Sequence, residues 1–272
     1  MFNSLALTTV LLPFVFGLVL ALAGRLGGRW SLPLAFVFVS LAYVLLEGMP
    51  EFPPVASKQK LPYLFALAAL VAVIPRGKLP MPVLVGAFLL GAAGWLGINK
   101  FASGGVLASA IVLAPIAAAT FGSLALPRGK PLPLLWPSAL LCLAIGAALL
   151  SALGTFVGFA QVAGSCAALI GAYVLLRYVL LLIGQDAGFA ALTTGATTFL
   201  LLAVTAVLIT IALFAPTISQ PAVGILSLTL ILPLLIPDFT GQPRALIPVL
   251  QGLILALPAL GAVFLALTLH QP

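Results

Sequence analysis

Read for polarity alone, the chain alternates long apolar runs with short polar turns. A bilayer-crossing helix needs about 20 apolar residues, within a range of roughly 17–25. On that template the sequence divides into ten segments: Leu5–Gly24, Leu32–Leu46, Leu61–Ile74, Met81–Ile98, Gly105–Leu126, Leu134–Leu153, Thr155–Ile183, Phe189–Ala215, Pro221–Ile236 and Leu246–Leu269. The second, third and ninth are short for a full crossing. The runs are continuous and do not alternate in and out over ten-residue stretches, which excludes a membrane β-barrel. The pattern therefore predicts an all-α, polytopic membrane helix bundle. Its helices pair as antiparallel hairpins, and residues 1–272 form one transmembrane domain.

The turns carry the orientation. Pro75-Arg76-Gly77-Lys78-Leu79-Pro80 returns as Pro127-Arg128-Gly129-Lys130-Pro131-Leu132-Pro133, with a looser version from Arg25 to Pro33. Proline and glycine reverse the chain, and basic residues in short loops hold a turn in the cytoplasm. With the N-terminus outside, cytoplasmic turns and helix ends hold Arg25, Arg29, Arg76, Lys78, Arg128, Lys130, Arg177 and Arg244, leaving Lys58, Lys60 and Lys100 outside. We therefore expect a bacterial inner-membrane protein with both termini in the periplasm. The near-identical elbows also raise the expectation of a tandem hairpin repeat in the first six segments. No Lys or Arg precedes Arg25, so the first run lacks a signal peptide's basic flank and reads as the first transmembrane helix. The longest outer connection, Glu47 to Lys60, contains Pro50, Pro53 and Pro54 and reads as an ordered extended loop.

Composition strengthens this picture. The 272 residues are 64% hydrophobic and only 6% charged, whereas a soluble domain carries about 25% charged residues. So few charges cannot cover a water-facing surface, and lipid is the fitting solvent. In lipid the backbone must satisfy its own hydrogen bonds, as a helix does. The formal charge of +7 is that of helix ends obeying the positive-inside rule. Without a polybasic run or an aromatic-interleaved basic patch, it does not point to nucleic acid. Cys142 and Cys166 fall inside helical runs, match no metal spacing and read as small apolar residues.

Candidate chemistry is sparse. The one histidine, His270, lies two residues from the end. Without a His-Cys-carboxylate cluster, a properly placed base or a phosphate-binding glycine loop, the sequence predicts no catalytic residue, metal or cofactor. Glu47 and Glu51 lie at an outer helix end, and Asp186 and Asp238 in cytoplasmic turns. None reaches a midplane, which disfavours an ion-coupled carrier. Arg177 is the charge embedded in an apolar run. It either snorkels to the headgroups or makes a buried contact to a lipid phosphate, an anionic solute, Asp186 or Asp238. Thr194, Thr198 and Thr205 share one face of the eighth segment, as interhelical contacts or as the lining of a solute path. Gln161 and Gln251 are further path candidates, because an amide in lipid must find partners. Arg177, Gln161, Gln251, Thr194 and Thr198 form the candidate solute- or lipid-contact set.

Small residues recur as Gly154-x3-Gly158 and as Gly164-x3-Ala168-x3-Ala172, with Gly91, Gly94 and Gly97 in the fourth segment. Such stripes let helix backbones approach closely. Pro13, Pro115, Pro233 and Pro258 fall inside spans, where proline removes a helix bond and tends to kink. The expected function is a non-catalytic scaffold or accessory subunit packing against lipids, other integral membrane subunits or copies of itself. The alternative is an uncoupled facilitator for a small or lipidic solute.

Overall fold

The computed structural model of the chain describes residues 6–74, 81–102, 106–125, 134–214, 220–236, 239 and 242–269. Among them every regular element is helical. A π-helical turn, Leu7–Leu11, leads into α1 (Leu12–Leu22). The other α-helices are α2 (Ser31–Glu47), α3 (Leu61–Val73), α4 (Met81–Ala102), α5 (Val106–Ala125), α6 (Leu135–Leu153), α7 (Val157–Leu182), α8 (Thr194–Phe214), α9 (Gln220–Ser227), α10 (Leu232–Leu235) and α11 (Ile247–Leu269). Six helical stretches are long and apolar enough to cross a membrane: Leu7–Leu26, Gly28–Glu47, Leu135–Leu153, Val157–Leu182, Thr194–Phe214 and Ile247–Leu269. Val83–Ile98, Leu113–Gly122 and Gln220–Leu230 are shorter apolar helices. Each of the ten apolar runs contains helix, but length and composition mark six of them as candidate spans. The elbows Pro75–Pro80 and Pro127–Pro133, and also Asp238 and His270, lie outside the described residues.

Two boundaries differ from the sequence pattern for physical reasons. The eighth run starts as loop, and helix begins only at Thr194. Thr193 precedes it and accepts the Ala196 amide on its hydroxyl at 3.2 Å, an N-cap that fixes the start. The ninth run breaks into α9, a 3-10 turn at Leu228–Leu230 and α10. Pro233 cannot donate to the carbonyl of Thr229, and the turn tightens to Ile231 N–H donating to Leu228 O at 2.9 Å. The more central Pro115 and Pro258 are carried inside continuous helices.

The bundle is organised around α8. Every residue from Ala196 to Leu213 is buried, and α2 to α7 pack around it with α9 alongside. Outside this core, α1 lies along α7, and α11 lies along α6 and α9. Gly17 makes the α1–α7 contact possible: a Cβ there would sit 2.0 Å from the Leu169 carbonyl oxygen and 2.8 Å from the Ala172 Cβ. Gly164, one member of the α7 small-residue stripe, faces Thr9 across the same contact. Gly91 and Gly94 of α4 face open space instead.

Loop contacts sort into two ends. At one, the turn after α1 docks on the loop after α7, with Ala190 N–H donating to Gly24 O at 3.0 Å. At the other, Glu47 and Lys58 form an ion pair at 2.5 Å. There Gln59 donates to Glu51 at 2.9 Å, the Tyr43 hydroxyl donates to Lys58 O at 2.8 Å, and buried Lys60 donates to Trp95 O at 2.8 Å. These bonds hold the proline-rich connection against the bundle, in keeping with an ordered loop.

Candidate functional site

The long α7 ends in a left-handed glycine. Gly184 adopts φ +72, and the Gln185 amide donates back to Leu180 O at 2.9 Å, closing the helix in a Schellman arrangement. The chain then turns under the helix end and brings Asp186 and Phe189 back towards Arg177. Arg177 is buried, at 2% exposure. Its Nη2 meets Asp186 Oδ1 at 2.5 Å, and its Nη1 donates to Phe189 O at 2.8 Å. The Phe189 ring has two guanidinium groups over it, with its centroid 4.8 Å from that of Arg25 and 6.0 Å from that of Arg177. One turn earlier on α7, the Tyr173 hydroxyl accepts the Leu192 amide at 3.2 Å. Arg177 therefore does not snorkel to headgroups. Among the described residues it meets Asp186, one of the partners the sequence allowed it, and the pair pins the loop that feeds α8.

That loop is held from a second side. Ser31 Oγ donates to Gly28 O at 2.7 Å, lies 2.8 Å from the Thr193 hydroxyl, and accepts the Thr193 amide at 3.3 Å. Fixing both ends of the connection fixes the depth at which α8 enters the core.

Beside the ion pair, Asp186 also lines a cavity of about 350 Å³ together with Leu134, Leu181, Arg244, Ile247, Pro248 and Gln251. Its walls are chiefly apolar, with Asp186, Arg244 and Gln251 as its polar groups. Arg244 is exposed. Gln251 is 2% exposed, and its Nε2 has no hydrogen-bond partner among the described residues. An unpaired amide donor at such depth carries a desolvation cost of about 1–3 kcal/mol, which an acceptor entering the cavity would relieve. Among the described residues Asp186 and Arg244 are the charged groups of its lining, and Arg177 pairs with Asp186 behind it, which leaves the Arg244 charge to favour an anion.

A neighbouring groove of about 370 Å³ shares Leu134 and Pro248 with this cavity and runs between α6, α7 and α11. A third space, about 290 Å³, is lined by Ala72, Thr194, Gly195 and Thr198, and by Ile74 and Met81, which flank the elbow at 75–80. Thr198 Oγ1 is buried there without a partner among the described residues. Deeper in the core the hydroxyls are occupied: Thr120 donates to Ile116 O at 2.8 Å and lies 3.4 Å from Thr205, and Thr210 donates to Ala206 O at 2.8 Å.

The five residues singled out by sequence thus divide into three groups. Arg177 and Gln251 converge through Asp186 at one cavity. Thr194 and Thr198 line a separate space at the same end. Gln161, half-buried, sits sixteen residues before Arg177 on α7, about 24 Å away along the axis, and belongs to the opposite end. Arg244, counted in the sequence only for orientation, is the residue that reading missed. Its signal was its spacing of seven residues before Gln251. Among the described residues no His, Cys, Asp and Glu cluster could hold a metal ion. No protein-family model, no curated protein and no solved structure matches this chain.

Proposed function

We propose that the chain is a non-catalytic membrane scaffold or accessory subunit that crosses the bilayer ten times and packs against other integral membrane subunits. The carrying observation is the packing of α8. A solute path through a bundle needs space along its axis, and here the axial helix is buried on every side from Ala196 to Leu213. Two outer features add support. Leu253, Leu257, Leu260 and Phe264 of α11 are each more than 60% exposed, and Gly91 and Gly94 leave a close-approach strip on α4 where no described residue packs within 4 Å of an added Cβ. In lipid, small-residue strips of this kind bring helices together through dispersion.

In this reading residues 1–272 are one domain in a bacterial inner membrane, and the basic elbows face the cytoplasm. The end that gathers Arg25, Arg177 and Arg244 is then cytoplasmic, and the end with Glu47, Glu51 and Lys58 is periplasmic. The first six helices would be tandem hairpins related by their elbows.

A photoreactive residue at position 264, introduced in native membranes, tests the assignment. We expect one discrete adduct with a second membrane protein, or with a second copy, that persists through purification. Adducts with lipid alone, and recovery as a lone monomer, would overturn it. A facilitator for a lipidic solute is the second reading, favoured by the cavity at Gln251. It requires flux in liposomes that Gln251→Leu abolishes.

A further inference from the structure

The cavity at Gln251 and the groove beside it have the form of one elongated binding site. Their shared walls, Leu134 and Pro248, join a polar chamber to an apolar channel. The direction of the channel follows from the helices that build it. α6 and α11 begin at the end where α7 finishes, so moving from Leu134 to Cys142, from Pro248 to Gly252 and from Tyr178 back to Gly171 moves away from the polar chamber in each case. The last of these steps covers seven residues of helix, about 10 Å at 1.5 Å per residue. The channel therefore runs from the loop end towards the bundle's middle, parallel to a lipid chain. The Tyr178 hydroxyl donates to Ala245 O at 3.1 Å and braces the turn before α11 where chamber and channel meet.

We propose that this composite site holds an anionic phospholipid, its phosphate in the chamber and one acyl chain in the channel. Three observations fix the chemistry. Among the described residues, the charges lining or bracing the chamber, Arg177, Asp186 and Arg244, sum to one net positive charge. Arg177 is committed to Asp186, which leaves the exposed Arg244 to meet the phosphate in a charge-assisted hydrogen bond. The buried, unpartnered Gln251 Nε2 supplies a donor one step deeper, where the glycerol ester carbonyls of a lipid would lie. The channel beyond it is lined by Leu141, Val174, Leu175 and Gly252 and accepts methylenes. A zwitterionic lipid would add a choline or ethanolamine cation facing Arg244, which the site's charge opposes. The site requires only that the chain lies in a bilayer, so it holds under either reading of function.

The test uses the full-length protein in a mild non-ionic detergent, incubated with equal amounts of phosphatidylglycerol and phosphatidylcholine of matched chains. Retained lipid is counted by native mass spectrometry. Phosphatidylglycerol should be retained over phosphatidylcholine by roughly tenfold, the scale of one hydrogen bond to a charged group. Arg244→Ala should bring that ratio close to one, whereas Gln251→Leu should reduce retention of both lipids. Gly252→Leu should block the channel and reduce both as well. A Cβ at Gly252 meets nothing within 4 Å, so the added side chain starts in open space, and unchanged thermal stability of the variant checks that the bundle is intact. Leu257→Ala, on the outer face of α11, should retain lipid as the unchanged protein does. The proposal falls if the unchanged protein shows no preference, if Arg244→Ala keeps the preference, or if Gly252→Leu binds as well as the parent. It also falls if millimolar inorganic phosphate displaces the lipid, because the site would then take a soluble anion. Should Gln251→Leu not fold, the exposed Arg244 and open Gly252 variants still decide the matter.

Discussion

α8 and α11 are similar in length and in apolar content, yet 94% of the most apolar window of α8 is buried against 28% of that of α11. The difference lies in what each helix does with its polar and small residues. α8 carries Thr197, Thr205 and Thr210, whose hydroxyls reach the Thr193 carbonyl, Thr120 of a neighbouring helix and the Ala206 carbonyl, besides Thr194 and Thr198 near its start. α11 keeps one narrow buried stripe, Gln251, Leu255, Ala259, Ala262 and Ala266, and turns Leu253, Leu257, Leu260 and Phe264 outward. The stripe is built largely of alanine, and the outer face of large residues. In a water-soluble bundle the large side chains would line the core. In lipid no hydrophobic force drives helices together, and close approach through small residues takes its place.

Substitutions at five positions probe this contrast, all read as stability of the purified protein against denaturant or heat. Leu201→Ala in α8 empties a fully enclosed position and should cost about 3 kcal/mol, the usual scale of a buried leucine truncation. A loss below about 1 kcal/mol would mean that α8 is not the packed centre. Arg177→Ala removes the anchor of the loop feeding α8 and strands Asp186. Breaking a fully buried pair costs about 3–5 kcal/mol. The Asp186 side chain is 28% exposed, so about 2 kcal/mol is expected, and Arg177→Lys should recover only part of it because lysine cannot bond Asp186 and the Phe189 carbonyl as a fork. If Arg177→Lys behaves like the parent, the fork contributes nothing. Thr205→Val loses the contact to Thr120 and should cost about 0.6 kcal/mol, the mean for interhelical hydrogen bonds in a membrane. Thr198→Val, whose hydroxyl has no partner among the described residues, should be neutral or stabilising. Leu257→Ala on the outer face of α11 should stay within about 0.5 kcal/mol. A larger loss in the isolated chain would place that face in a contact within the chain.

Much of the helix layout was legible because apolar run length is read directly from sequence. The ends of α3, α5, α6 and α11 fall within two residues of the expected positions. The loop at 189–193 was not legible. It is apolar like the helix that follows, and tertiary bonds from Arg177, Tyr173, Ser31 and the Gly24 carbonyl hold it unwound. The contact of Arg177 with Asp186 was among the readings the residues allowed, yet nothing local ranked it above snorkelling. The centrality of α8 was hidden for a deeper reason: lipid-facing and core-facing positions are both apolar, so hydropathy cannot separate them. Its threonines were the one visible sign, and they were read as a single face. Gly17 escaped notice because it stands alone in α1. Its partner is a backbone carbonyl on α7, which has no side-chain signature.

The place of α8 in the chain also governs how the molecule is made. Synthesis delivers helices from the N-terminus onward, so α1 to α7 emerge before the helix around which six of them are arranged. Until Phe214 has been made, the inner faces of α2 to α7 have no centre to close on. Nascent chains halted before that point would present those faces to lipid, to insertion factors or to membrane proteases. Commitment to the native bundle is therefore a late event in biogenesis, set by the eighth helix.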